Sequence, residues 1–149
     1  HGNASGAPSF SSIVIGDLDP TIAALFSYVS WGTPGAQASR TIEIQATIKD
    51  AQGNTLAAAT TDVQVVVSDS ATDGEPSATA TLAAAGTPVG TVLAGSGTAT
   101  IVMRTNASGL FSIAITEASA ASRYLNVSQG VNSQAYVRAN AAPKQVTFT

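Results

Sequence analysis

The chain contains no cysteine, which excludes thiolate zinc sites, thiol nucleophiles and disulfide staples and leaves its redox compartment open. Histidine is nearly missing as well: the one copy is His1, in a terminal segment where nothing holds it at hydrogen-bond distance from a Ser or Thr. A nucleophile-base pair therefore has no base, and no catalytic triad is expected. Charge is scarce, with 10% of the 149 residues ionic. The six basic residues, Arg40, Lys49, Arg104, Arg123, Arg138 and Lys144, stand singly, and the net charge is −3 with a pI near 4.8. Phosphate affinity comes from clustered Lys and Arg, so nucleic acid is not an expected partner. The longest apolar clusters, around Ile22 to Val29, fall well short of the roughly 20 residues that a bilayer requires. A soluble chain with no membrane partner is expected. Because it begins at His1 rather than methionine, the chain reads as a processed or partial product, and no basic and apolar signal segment precedes Gly2 to Pro8.

What is present is β patterning. An apolar fraction of 44% and a mean hydropathy of +0.22 rule out a wholly disordered polymer. Much of that fraction is alanine, so the core should be thin. From Thr41 the apolar residues Ile42, Ile44, Ala46 and Ile48 alternate with Glu43, Gln45, Thr47 and Lys49, the period of a strand with one face in a core and one in water. Asp50, Gly53 and Asn54 then supply turn chemistry, and Val63, Val65 and Val67 begin a second alternating run. Thr41 to Asp69 reads as one antiparallel unit. A Thr and Ala run around Thr79 to Leu82 and apolar pieces around Val89 to Leu93 are punctuated by Gly86, Pro88, Gly90, Gly95 and Gly97, so strands there should be short, edge-like or bulged. Thr98 to Arg104 alternates, the TNASG turn of Thr105 to Gly109 reverses the chain, and Phe111, Ile113 and Ile115 rebuild an inward face. Tyr124 to Val127, Gln134 to Arg138 and Gln145 to Phe148 complete the series. Roughly six to eight short strands at intervals of about 8 to 12 residues spell an antiparallel sandwich.

The division expected is an N-terminal extension over 1–39 and a sandwich over 40–149. His1 to Phe10 is small, polar and broken by Pro8, which suits an extended arm, and Ser12 to Ile15 suits a short strand. Asp17 to Trp31 reads either as a short helix, with Asp19-Pro20 as its start and Ile22, Leu25, Phe26 and Val29 at helical spacing, or as an irregular strand entering the sandwich. Gly32 to Ser39 reads as a linker. A surface of Ser, Thr, Gln, Asn and Ala suits a protein packed within an assembly.

The remaining motifs carry little chemistry. Asp17 with Asp19, or Asp69 with Asp73 and Glu75, are the only carboxylate groupings, and Asp-Pro and Asp-Gly are ordinary turn pairs, so catalysis is not expected. The Asp69 to Glu75 loop offers oxygen ligands for calcium but lacks the spaced acidic pattern that encloses an ion, and a solvated loop is the expectation; neither a metal nor a cofactor is called for. Sequons begin at Asn3, Asn106 and Asn126 and matter only in a eukaryotic secretory context. The runs GTPGAQAS, GTPVG and GSGT are loops, since none ends in Gly-Lys-Ser/Thr after a strand. Tyr28, Trp31, Tyr124 and Tyr136 are the candidates for a sugar-binding face, with Tyr124 read as core instead. Phe10, Tyr28 and Trp31 are the candidate interface residues, Trp31 being either an interface anchor or a core plug.

The order TIKDAQGNTL, DVQVVVSD, RTNASGLFSIAITE, YLNV and KQVTF resembles bacterial immunoglobulin-like domains of the invasin/intimin type. It resembles more closely the small Ig-like virion structural proteins encoded by tailed bacteriophages. In those a KDAxGN turn, a V.V.VSD strand, a T(D/N)AxG.F.I.IT hairpin, a (Y/F)LNV strand and a terminal TF strand recur in this order, and the likeness covers about Thr41 to Thr149. It implies an all-β, Ig-like antiparallel sandwich and a non-enzymatic structural role in a virus particle assembled in the host cytoplasm. A capsid decoration protein is the first expectation and a tail or fibre component the next. The partners implied are major capsid or tail proteins and copies of the chain itself. The alternative is an adhesin or carbohydrate-binding module that holds loops against a host-surface glycan or protein. If the N-terminal arm is the anchor, removing residues 1–31 should abolish docking and leave the sandwich folded; loss of folding would put that segment in the core.

Overall fold

In the computed structural model, residues 26–57, 60–129, 137–138 and 142–149 are described, and all their regular structure is β-strand. The strands are β1 (Tyr28–Trp31), β2 (Thr41–Lys49), β3 (Asp62–Ser68), β4 (Thr81–Ala84), β5 (Thr91–Ala94), β6 (Thr100–Arg104), β7 (Leu110–Thr116), β8 (Ser122–Gln129), β9 (Val137–Arg138) and β10 (Lys144–Thr147). They form two antiparallel sheets, ordered β1-β2-β7-β4 and β10-β8-β3-β6-β5, with β9 also paired to β8. One apolar cluster fills the space between them, so the fold is the expected all-β antiparallel sandwich. Strand β3 is central in the larger sheet, and the edge strand β4 of the smaller sheet falls between β3 and the β5-β6 pair in the chain, so the chain changes sheet on either side of it. Among the described residues no helix is long and apolar enough to cross a membrane.

The core follows from strand parity. Ile42, Ile44, Ala46 and Ile48 of β2 point inward, and Phe111, Ile113 and Ile115 of β7 pair beside them. Facing them are Val63, Val65 and Val67 of β3, flanked by Ile101 and Met103 of β6 and Leu125 and Val127 of β8. The single alanine in the isoleucine series has a visible purpose. Ala46 lies in register with Trp31 on one side and Phe111 on the other, and the two rings meet edge-to-face across it at 5.8 Å and 75°. A larger residue at 46 would fill the space that this contact occupies.

Several expectations are corrected. The Thr41 to Asp69 segment is not one antiparallel unit: β2 belongs to one sheet and β3 to the other. After the turn the chain stays beside β2 only for the Lys49–Thr55 bridge and the Leu56 N–H to Ile48 carbonyl bond, then crosses. The TNASG segment is likewise a corner between sheets, since β6 pairs with β3 and β5 while β7 pairs with β2 and β4. Alternation fixes which side chains share a face, and it is silent on which strands pair. Within the 1–39 segment, β1 pairs with β2. Of the two readings of Asp17 to Trp31, the described part, from residue 26, follows the strand entering the sandwich: Tyr28–Trp31 is β1, with Val29 buried against the core.

The expected linker also runs along the β2 edge, through Gly32 N–H to the Gln45 carbonyl and Gly35 N–H to the Glu43 carbonyl, both 2.8 Å. It then reverses in a two-residue turn. Ala38 and Thr41 exchange both backbone hydrogen bonds, and Ser39 and Arg40 sit at φ of 48° and 67°, the signs that a type I′ turn demands.

Both seams of the sandwich are stitched. Along one, Leu82 N–H donates to the Thr98 carbonyl and Gly97 N–H to the Leu82 carbonyl. Along the other, the Gln37 amide pairs with the residue-149 backbone in both directions, at 3.0 and 2.9 Å, and Arg40 Nη1 reaches the same carbonyl at 3.3 Å.

Candidate functional site

Of the expected interface residues, Trp31 is half-buried and packs on the core through Phe111, so its ring is occupied in the fold. Tyr28, also half-buried, sits on the same edge strand opposite Lys49, its hydroxyl over the turn at Gly53. Phe10 and Tyr136 lie outside the described residues. Tyr124 is not core: it is half-buried at outward parity on β8, between Ser68 and Gln145 on the neighbouring strands. Tyr28, Trp31 and Tyr124 therefore share no face, and the described residues present no aromatic platform for a sugar ring.

The acidic loop is organised as turns. Asp69 lies 3.4 Å from Arg123, and the Asp73 carboxylate accepts the Glu75 N–H at 3.2 Å; no acidic grouping that could hold a metal occurs among the described residues. Asp17 and Asp19 lie outside them, as do His1 and the Asn3 sequon. Asn126 is buried at 5% exposure, a site that a glycan could not reach in the folded chain.

Two arrangements were not read from the sequence. The first is a buried ion pair at the end of the sandwich where β7 leaves one sheet and β8 enters the other. Glu117 is fully buried; its Oε2 accepts from Arg123 Nε at 2.6 Å and Thr79 Oγ1 at 2.8 Å, and its Oε1 from the Ser119 N–H and hydroxyl, each at 3.1 Å. Burial alone would raise its pKa; the bonds from Thr79, Ser119 and Arg123 outweigh that and hold it at about 2. Each carboxylate oxygen already serves two donors, so the group is a structural clamp and not an acid-base catalyst. A signal for it was available: Glu117 continues the inward parity of Ile113 and Ile115, and Arg123 that of Leu125 and Val127. Opposite charges at inward positions of two strands point to each other.

The second is an open groove of about 280 Å³ on the outer face of the β1-β2-β7-β4 sheet. Glu43 and Gln45 of β2 and Ser112 of β7 form its floor; Thr33 and Gly35 wall one side and Ala85, Thr87 and Val89 the other. The floor is hollow because β7 shows only Ser112 and Ala114 there. Glu43 stands opposite Ala114 and reaches across to the β4 side, where its Oε1 accepts the Gly86 N–H at 2.6 Å. A Cβ at residue 86 would lie 3.1 Å from that oxygen, so glycine permits the close approach. The Ser112 hydroxyl accepts the Val89 N–H at 2.9 Å and fixes that wall. In sequence, Glu43 and Gln45 are ordinary outward strand residues, and nothing local marks them.

Compared with known proteins, the chain matches no family model, no curated protein and no solved structure.

Proposed function

We propose that this protein is a non-enzymatic structural component of a tailed-phage virion, a capsid decoration protein before a tail or fibre component. One observation carries the reading: the five motifs of the phage-type resemblance fall in order on discrete parts of the sandwich. The KDAQGN turn closes β2, DVQVVVSD is β3 and its exit, TNASG and the following alternation are the β6-β7 corner and β7, YLNV lies within β8, and KQVTF spans β10. Such a protein acts mechanically. Many copies dock on a shell or tube, and weak contacts summed over a lattice reinforce the particle. A low-charge, hydroxyl-rich exterior suits that packing. Its partners are the capsid or tail proteins beneath it and neighbouring copies of itself.

The test is a mass-spectrometric copy count of the chain in purified particles of the phage that encodes it, beside the major capsid and tail-tube proteins. A count matching the capsid lattice supports decoration, and one matching the tube supports a tail role. A handful of copies moves the assignment to a fibre or a glycan-binding adhesin, and none at all overturns the virion role.

A further inference from the structure

We infer that the groove on the outer face of the β1-β2-β7-β4 sheet receives a lysine side chain from a partner protein, with Glu43 as its counter-ion. Three observations converge on that occupant. Glu43 has no cationic partner among the described residues: the ion pairs there join Arg104 to Asp62 and Arg123 to Asp69 and Glu117. A carboxylate on a chain of net charge −3, set in a groove whose other lining residues are neutral, favours a cation by charge complementarity.

The second observation is how Glu43 is held. Oε1 already accepts the Gly86 N–H at 2.6 Å, which leaves Oε2 as the oxygen with both acceptor positions open. An arginine fork gains most from both oxygens of a carboxylate, whereas an ammonium is a point charge that needs one. The remaining ammonium protons find acceptors in the Gln45 amide oxygen and the Thr33 and Thr87 hydroxyls, which line the same groove and hold no side-chain hydrogen bond to another described residue. The third is size. At about 280 Å³ the groove lies below the usual 300–1,000 Å³ range, roughly, of small-molecule sites, and it is open to solvent, which suits one side chain presented by a partner.

The experiment is a 1H–15N NMR titration of the whole chain with acetyl-Ala-Lys-Ala-amide, and separately with the matching Arg and Gln peptides. The lysine peptide should shift the amides of Gly35, Gln45 and Gly86, with Kd of order 1 mM, while the Arg peptide binds more weakly and the Gln peptide leaves them unmoved. Glu43→Gln keeps an acceptor for the Gly86 N–H and removes only the charge, so its spectrum should overlay the parent's while lysine binding weakens about fivefold. Asp73→Asn, which removes an exposed carboxylate elsewhere, should change nothing. Equal binding of the Gln or Arg peptide, unaltered binding by Glu43→Gln, an equal loss with Asp73→Asn, or no shifts at all would each overturn the assignment. Any of these would leave the copy count, and with it the virion reading, untouched.

Discussion

Replacing Glu117 by Gln tests whether the buried clamp holds its end of the sandwich together. The folded-state pKa of about 2 lies below the ordinary value of 4.5. The ionised form is therefore favoured by folding: its contribution is fully present above about pH 4.5 and is lost as pH falls through about 2. A shift of that size corresponds to about 3 kcal/mol, a large share of the roughly 5–15 kcal/mol that holds a domain folded. At pH 7 the variant leaves Arg123, whose side chain is 12% exposed, with only the 3.4 Å contact to Asp69 as a charge partner. Breaking such a pair costs about 3–5 kcal/mol. Urea unfolding of both proteins, followed by the fluorescence of Trp31, the sole tryptophan, should therefore show a gap of that size at neutral pH. The gap should narrow by about 3 kcal/mol between pH 4.5 and 2. Asp50 and Asp62, whose carboxyls are also held below their ordinary range by hydrogen bonds, titrate alike in both proteins and cancel. A gap that stays constant over that interval would refute the reasoning.

Enlarging the inner alanine, Ala46→Leu, should cost about 1–3 kcal/mol by overpacking and weaken the near-ultraviolet circular dichroism of the Trp31–Phe111 pair. Giving the turn the residues its φ signs favour, Ser39→Asn with Arg40→Gly, should raise the thermal midpoint, a gain of about 1 kcal/mol partly offset by the lost Arg40 bond to residue 149. Gly109→Ala should destabilise by about 2 kcal/mol or more, because Gly109 sits at φ 72° and a Cβ there would strike the Leu56 carbonyl; chemical denaturation measures it. Deleting residues 1–31 removes β1 with Val29 and Trp31 and should lower the urea midpoint markedly, whereas deleting 1–25 spares every described strand; equal stabilities would show that β1 contributes nothing.

Strand existence was legible wherever side chains alternate between a wet face and a dry one, and β2 and β7 follow their Ile and Phe positions closely. The outer-face burial of β3 was less so: Val66 and Ser68 are 2% and 0% exposed, as the VVV run allows for a strand covered on both faces. Partnership was illegible, since β2 pairs with β7 across 62 to 74 intervening residues (Thr47 with Leu110, Thr41 with Thr116) and no local pattern encodes that. The Ser39-Arg40 turn was hidden because neither residue advertises positive φ; the ladder on either side imposes it. The groove was hidden for a related reason. Its floor is assembled from β2 and β7 and its walls from two loops, so no contiguous motif describes it. Only the Glu117–Arg123 pair left a readable trace, in its parity.

The crossing of the chain from sheet to sheet has a consequence for how the protein is made. The central strand of the larger sheet, β3, pairs with β6 and β8, both of which are synthesised later. At roughly 5–20 residues per second, its row of valines emerges from the ribosome and waits for seconds until Arg104 follows. During that interval Val63 to Val67 is an unpaired apolar strand, the kind of segment that other nascent chains or a chaperone would capture. The fold is thus most exposed to failure before it exists, and the rate of translation between residues 69 and 104 becomes a determinant of yield.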